Sequence, residues 1–401
     1  MRRIVLGILG AALAALVIAR GLVPPAVPAW GAEEQDWDSG AYNVLALDIP
    51  VAAETAGSAL IGEMNSYFLS CRPTEKSEYT GLAQSANLIV ILAENWPVAY
   101  MDENLTPGLY RLWLEGAKIA AAYAPEWYQG VDGREFALLS GMEPTTIRNK
   151  SALVWAAEQD VALPFALARC LARTGGYTCR AYPSQPEREE LYETLGFETV
   201  EGLEGSALDR IGQTLPALAA EEEPFFAYYV WEEPDGNAAL GYLLSLLEGS
   251  GLASNTVVCL WAGHQDELRG HWFLWGPALR EATVTGPCSE LDVTPTLLNL
   301  LGVAYDSRFL SGRDVFAPAG DVTATGHAMA LVSLYGSAYA DWVTDAGSYA
   351  AGERIFFPGT GIFETEREAE QYAQQVRRLV YDRYAFARRV MESNYFGLIC
   401  P

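Results

Sequence analysis

The chain is 401 residues long, half hydrophobic, rich in aromatics, and carries a formal net charge of −25. That length suits one large α/β domain with appendages, or two or three ordinary domains. A surface this acidic repels nucleic acid and anionic headgroups, which argues against a nucleic-acid partner and leaves long polyanions needing a metal or an arginine cluster.

Residues 1–31 read as a targeting segment. Arg2 and Arg3 precede an apolar run from Ile4 to Ala19, then Arg20 and Pro24-Pro25, with Ala29 and Gly31 at a cleavage-like spacing. The run is marginal for a bilayer span and typical of a signal h-region. A cleaved signal peptide and an uncleaved membrane anchor both stay open. Either way the remainder is expected to be extracytoplasmic, secreted or membrane-tethered at the cell surface. Residues 32–80 are an acidic linker with one expected helix over 52–69.

From Asn87 strands and helices alternate. Asn87–Ala93 is a buried strand ending at Glu94, and a helix is expected over 107–121. A second helix begins near Asp132, where Asp132 as N-cap and Glu135 three residues on have capping-box spacing. Leu163–Thr174 is amphipathic and stopped by Gly175-Gly176. Tyr177–Tyr182 is a short strand, Glu187–Leu195 a helix stopped by Gly196, and Leu208–Glu221 another helix. Phe225–Trp231 is strongly β. Ala238–Glu248 is helical, Thr256–Ala262 is a strand ending at Gly263-His264, and Thr294–Leu301 is a helix. This alternation predicts a mostly parallel central sheet sandwiched by helices, over residues 81–318. Residues 319–401 are expected to be a small β/α extension. It has β-like segments over 329–343 and 355–363, then one long helix over 365–393 capped by Thr365 and Glu368.

Six cysteines are dispersed along the chain, and none form the close pairs of a zinc ribbon. Export permits disulfides, and Cys170 with Cys179 is the best candidate bridge. Cys259 lies inside a strand and reads as a small buried hydrophobe. Trp231, Trp261, Trp272 and Trp275 either pack in the core or line a sugar or lipid pocket.

Glu94 and His264 each end a buried parallel strand, where ligands of open α/β sheets collect. A carboxylate and an imidazole there can share a divalent metal, but two ligands do not hold one. Several pieces stand in a telling order: Glu94-Asn95-Trp96, Leu114-Glu115-Gly116, Leu163-Pro164-Phe165, Gly176-Tyr177-Thr178, Leu195-Gly196-Phe197, Pro224 to Tyr228, Asn255-Thr256-Val257, Asp292 to Gly302, and Gly312-Arg313-Asp314. This order resembles the extracellular domain of lipoteichoic acid synthase, in the sulfatase and alkaline phosphatase superfamily.

The resemblance implies an alkaline-phosphatase-like fold and a metal site made of a strand-end Glu, a nucleophilic Thr and an adjacent Asp-His. Glu94 matches the first. Val131 or Gly130 stands where the Thr belongs, and Gly263 replaces the Asp before His264. Family histidines that contact substrate also look replaced, by Tyr182 and by the Glu232-Glu233 pair, whose charge opposes an anionic substrate. Asp132 is a weak candidate for a replacement nucleophile. Asp266 and His271 are weak candidates for the missing ligands. The expectation is a binding or scaffolding pseudoenzyme at the bacterial cell envelope, without a cofactor and with an envelope component or protein as partner. The alternative is an active phosphotransferase, phosphodiesterase or sulfatase with an altered site and one divalent metal (Mn, Mg, Zn or Ca).

Overall fold

The computed structural model describes residues 37–45, 47, 59–96, 101–125, 127, 130–185, 188–233, 236–263, 270–277, 279–318, 342–344, 346–350, 353–356 and 363–400. The targeting segment 1–31, residues 51–58, His264, Asp266 and most of the expected 329–343 β segment lie outside them.

In chain order the elements are α1 (Ala59–Ser70), β1 (Asn87–Ala93), α2 (Pro107–Glu115), β2 (Lys118–Ile119), α3 (Val131–Ser140), β3 (Thr146–Ile147), β4 (Lys150–Ser151) and α4 (Ala152–Gln159). Next come α5 (Leu167–Cys170), extended by a π turn through Gly175, then β5 (Thr178–Tyr182), α6 (Glu189–Leu195), β6 (Thr199–Val200), α7 (Ala207–Leu218), β7 (Phe225–Trp231), α8 (Asn237–Gly249), β8 (Thr256–Ala262), β9 (His271–Trp275) and β10 (Thr283–Val284). The chain closes with α9 (Val293–Leu300), β11 (Trp342–Thr344), β12 (Gly347–Ala350), β13 (Glu353–Phe356), α10 (Glu366–Ser393) and α11 (Tyr395–Ile399).

The main sheet has the order β6-β5-β7-β1-β8-β9. Its first five strands are parallel, and only the β9 edge runs antiparallel, against β8. Strands β1, β7 and β8 are buried at every residue, as a parallel sheet covered on both faces requires. Alternation along them sorts the core into two layers. Leu88, Val90 and Leu92 face a cluster shared with α1, α4, α5, α9 and α10. Ile89, Ile91 and Ala93 face a second cluster with α2, α7 and α8. The architecture is therefore the expected α/β sandwich.

Several local readings change. The helix expected over 107–121 stops at Glu115. A Cβ on Gly116 would lie 2.5 Å from the Leu274 carbonyl oxygen and 2.6 Å from that of Leu112, so only glycine lets the chain cross the β9 backbone here. Asp132 is not the cap of α3: Gly130 is, at φ 59°, and Asp132 lies in the first turn without capping. The four tryptophans are all buried, which makes them core. Trp272 Nε1 points at Cys259 Sγ at 3.3 Å and Trp275 Nε1 donates to Glu115 Oε2 at 3.0 Å. Cys170 and Cys179 are not bridged, and all six thiols are free. Each of this pair donates instead to a local carbonyl, of Pro164 and Ala168.

Helix α10 begins at the Thr365–Glu368 capping box, as the spacing predicts. It packs into the same core as α1. Phe386 stacks on Tyr67 with centroids 3.7 Å apart, and Trp155 Nε1 donates to the Met391 carbonyl at 3.1 Å.

Candidate functional site

The C-terminal ends of β1, β7 and β8 form one edge. In register, Ala93 pairs with both Trp231 and Ala262. The Glu94 amide donates to the Trp231 carbonyl at 3.0 Å, and the Gly263 amide to the Ala93 carbonyl at 3.3 Å. The backbone thus brings Glu94 beside Gly263, as the two strand ends predict. His264 follows Gly263 but lies outside the described residues, as does Asp266. His271 opens β9 opposite Ala262, at the same edge.

Val131 is the first residue of α3, at the helix N-terminus. Its side chain carries no atom able to attack or to bind a metal. Helix α3 instead buries Arg134 and Glu135. Glu135 is fully enclosed. Its Oε1 accepts from the hydroxyls of Tyr192 (2.6 Å) and Tyr228 (3.0 Å), and its Oε2 pairs with Arg188 at 2.5 Å. Arg188 also reaches Asp132 Oδ1 at 2.7 Å. The Ser151 hydroxyl donates to Asp132 Oδ2 at 3.1 Å while capping α4. Asp132, the candidate replacement nucleophile, is therefore held by a guanidinium and a hydroxyl. On the far side Arg134 pairs with the buried Glu290 at 3.5 Å. Glu232 accepts from Ser184 at 2.7 Å, and Glu233 turns to the Ala207 amide at 2.6 Å.

The electrostatics follow from this packing. Burial, then the neighbouring Glu135 charge, pushes the Glu94 carboxyl up to about 7, with Arg134 and Arg188 opposing. Burial pushes Glu290 up to about 8 against Arg134 and the indoles of Trp127 and Trp261. Burial also raises Glu135, opposed by Arg188 and the two tyrosines. Four carboxyl groups thus face two guanidinium groups. Both shifts run toward the protonated form, which lowers the excess negative charge that the two guanidinium groups have to balance. Glu94 Oε1 is buried without a hydrogen-bond partner.

Of the candidate metal ligands, Glu94 and His271 are described, and His264 and Asp266 lie outside the described residues. Among the described residues no group of three His, Cys, Asp or Glu side chains converges on one point. Glu135 is already held by Arg188, Tyr192 and Tyr228, and Val131 and Gly263 offer no donor atom. Arg134, Arg188, Glu290, Tyr192 and Tyr228 escaped the sequence reading. The one available signal was Arg134-Glu135 set directly before an apolar run, which forces both charges into the core.

A mostly parallel sheet covered by helices on both faces is consistent with an alkaline-phosphatase-like fold, and solved structures agree. The chain is similar to the lipoteichoic acid synthase LtaP of Listeria monocytogenes at TM-score 0.62 and 16% identity, covering 78% of this chain and 94% of that one. It is similar to an alkaline phosphatase superfamily protein of Vibrio parahaemolyticus at TM-score 0.60 and 16% identity, covering 82% and 92%. No family model and no curated protein matches the sequence.

Proposed function

We propose that this chain is an exported binding or scaffolding domain of the bacterial cell envelope, built on an alkaline-phosphatase-like fold without its phosphoryl or sulfuryl transfer. The observation that carries this reading is Arg188, held between Asp132 and Glu135 at the start of α3. A guanidinium there supplies the positive charge that buried carboxylates require, and Val131 beside it has no nucleophilic atom. Export rests on the basic start, apolar run and Pro-rich exit of residues 1–31. The acidic surface favours a protein or neutral envelope component as partner over nucleic acid.

One observation favours the alternative of an active metal-dependent transferase or hydrolase with an altered site. Glu94 keeps a buried oxygen without a hydrogen-bond partner, which leaves it able to serve as one ligand of a divalent ion. Turnover of an aryl phosphodiester and an aryl sulfate, with added Mn²⁺, separates the two readings. The expected result is no rate above a Glu94→Ala control. Loss of a nucleophile from a concerted site costs on the order of 10⁶ in rate. Turnover well above that control would establish the altered-site enzyme instead.

A further inference from the structure

A second polar feature lies apart from the sheet edge. Helices α1 and α10 and the turn 308–311 enclose a cavity of about 40 Å³. Its walls combine apolar side chains, Phe68, Phe309, Phe386 and Val390 among them, with polar ones from Tyr67, Arg308 and Ser311. Arg383 of α10 also lines it. Only 6% of Arg383 is exposed, and both of its terminal nitrogens lack a hydrogen-bond partner. The neighbouring Arg308 is satisfied by Asp306, at 2.9 and 2.7 Å. Glu143 and Asp292 lie within the field of Arg383, yet neither accepts from it. A buried guanidinium with two unmet NH₂ groups is costly, so something in the cavity must accept from it.

Two occupants meet that need. Water is one, because roughly 10–15 Å³ holds a single water, which needs two to four polar partners. Tyr67, Arg308 and Ser311 also line the cavity and could share it. A small carboxylate is the other. Its two oxygens match the planar fork of the guanidinium, and its alkyl end meets the aromatic wall. A phosphate dianion brings a second charge for which this cavity has no unpaired cation. We propose that this cavity is a binding site for a short-chain monocarboxylate, held by Arg383 in a bidentate pair with its alkyl end against Phe68, Phe309 and Phe386. The site uses none of the sheet-edge residues, so it stands whether or not that edge is catalytic.

The test titrates the full chain with sodium propionate by calorimetry, against sodium chloride and sodium phosphate at matched ionic strength. Saturable heat with propionate, and none with the other two salts, is the expected result. Arg383→Lys keeps the charge but loses the fork, and should weaken propionate roughly ten- to hundredfold. Ala387→Leu fills the cavity from the next turn of α10 and should abolish binding while keeping the far-UV spectrum. That variant decides the matter if Arg383→Lys fails to fold. Absence of saturable heat, equal heats from all three salts, or undiminished binding in Ala387→Leu would each overturn the proposal. A crystal structure with only water on Arg383 in the presence of propionate would do the same.

Discussion

Removing Arg188 tests the charge-compensated site most directly. Arg188→Ala takes the cation from Glu135, which is fully buried, and from Asp132, which is partly solvated. Proton uptake sets a ceiling on the cost. A buried carboxylate that loses its cation takes a proton. Holding that proton at pH 7 against an unfolded-state pKa near 4.3 costs about 3.7 kcal/mol, at 1.36 kcal/mol per unit. The hydroxyls of Tyr192 and Tyr228 remain on Oε1 and lower the penalty. Burial already raises Glu135 in the parent, so part of the penalty is common to both proteins. We expect a loss of about 2–3 kcal/mol at pH 7, at or just below the floor of the range for breaking a buried pair. The sign of its pH dependence is fixed. A carboxyl whose folded pKa is raised contributes fully below its unfolded value and loses that contribution as pH rises. The gap between parent and variant therefore opens only above the parent's own, already raised Glu135 value, and at pH 5 it should be under about 1 kcal/mol. Lost packing of Arg188 over the Tyr192 ring, 5.8 Å away, adds a small pH-independent part. Urea unfolding at the two pH values measures both. A loss of equal size at both, or one below about 1 kcal/mol at pH 7, would refute the compensation argument. Glu135→Gln in the same background should recover most of the loss, because an amide keeps the tyrosine partners without the charge.

Three further outcomes are expected. Val131→Thr alone should leave turnover of an aryl phosphodiester at background, since Gly263 still supplies no carboxylate. Gly263→Asp can be added to it because a Cβ there meets only Ala124 Cβ at 3.5 Å, and activity from the single change would refute the two-loss reading. Burial pushes Asp292 to about 6, Glu94 and Glu143 to about 7 and Glu290 to about 8. The folded chain then holds more protons than the unfolded one between roughly pH 4.5 and 8, so Tm should fall as pH rises through that window, and a flat or rising Tm counts against it. With all six thiols free, a thiol reagent in urea should find every one without prior reduction, and a lower count would reveal a bridge.

The central strands were legible because β1, β7 and β8 are continuous apolar runs, the pattern a sheet buried on both faces imposes. Glu94 and Gly263 follow from them, since strand ends fix the crevice. β9 was not legible. Its His271–Trp275 run is mostly aromatic, which reads equally as pocket lining, and only pairing with β8 makes it an edge strand. Helix α2 was overextended because Gly116 stops it by tertiary contact with Leu274, and local propensity carries no trace of that. The same holds for the site. Arg188 with Tyr192, and Tyr228, meet Glu135 from two distant parts of the chain, and a buried polar partnership has no sequence period to betray it.

A metal and an arginine solve the same problem at the edge of a dry sheet. Carboxylates buried there need positive charge, and the chain provides it from its own side chains. The arginine solution is self-contained: the fork of Arg188 holds Asp132 and Glu135 at once, and Arg134 balances Glu290 from the same helix as Glu135. It is also exclusive. A divalent ion placed between Glu94 and Glu135 would meet Arg188 and Arg134 as like charges at close range, and displacing Arg188 would break two ion pairs. On the reading proposed above, adding a nucleophile and a carboxylate supplies the absent atoms but leaves Arg188 and Arg134 in place. A metal-binding variant of this chain would therefore start from Arg188, whose removal the first experiment already measures.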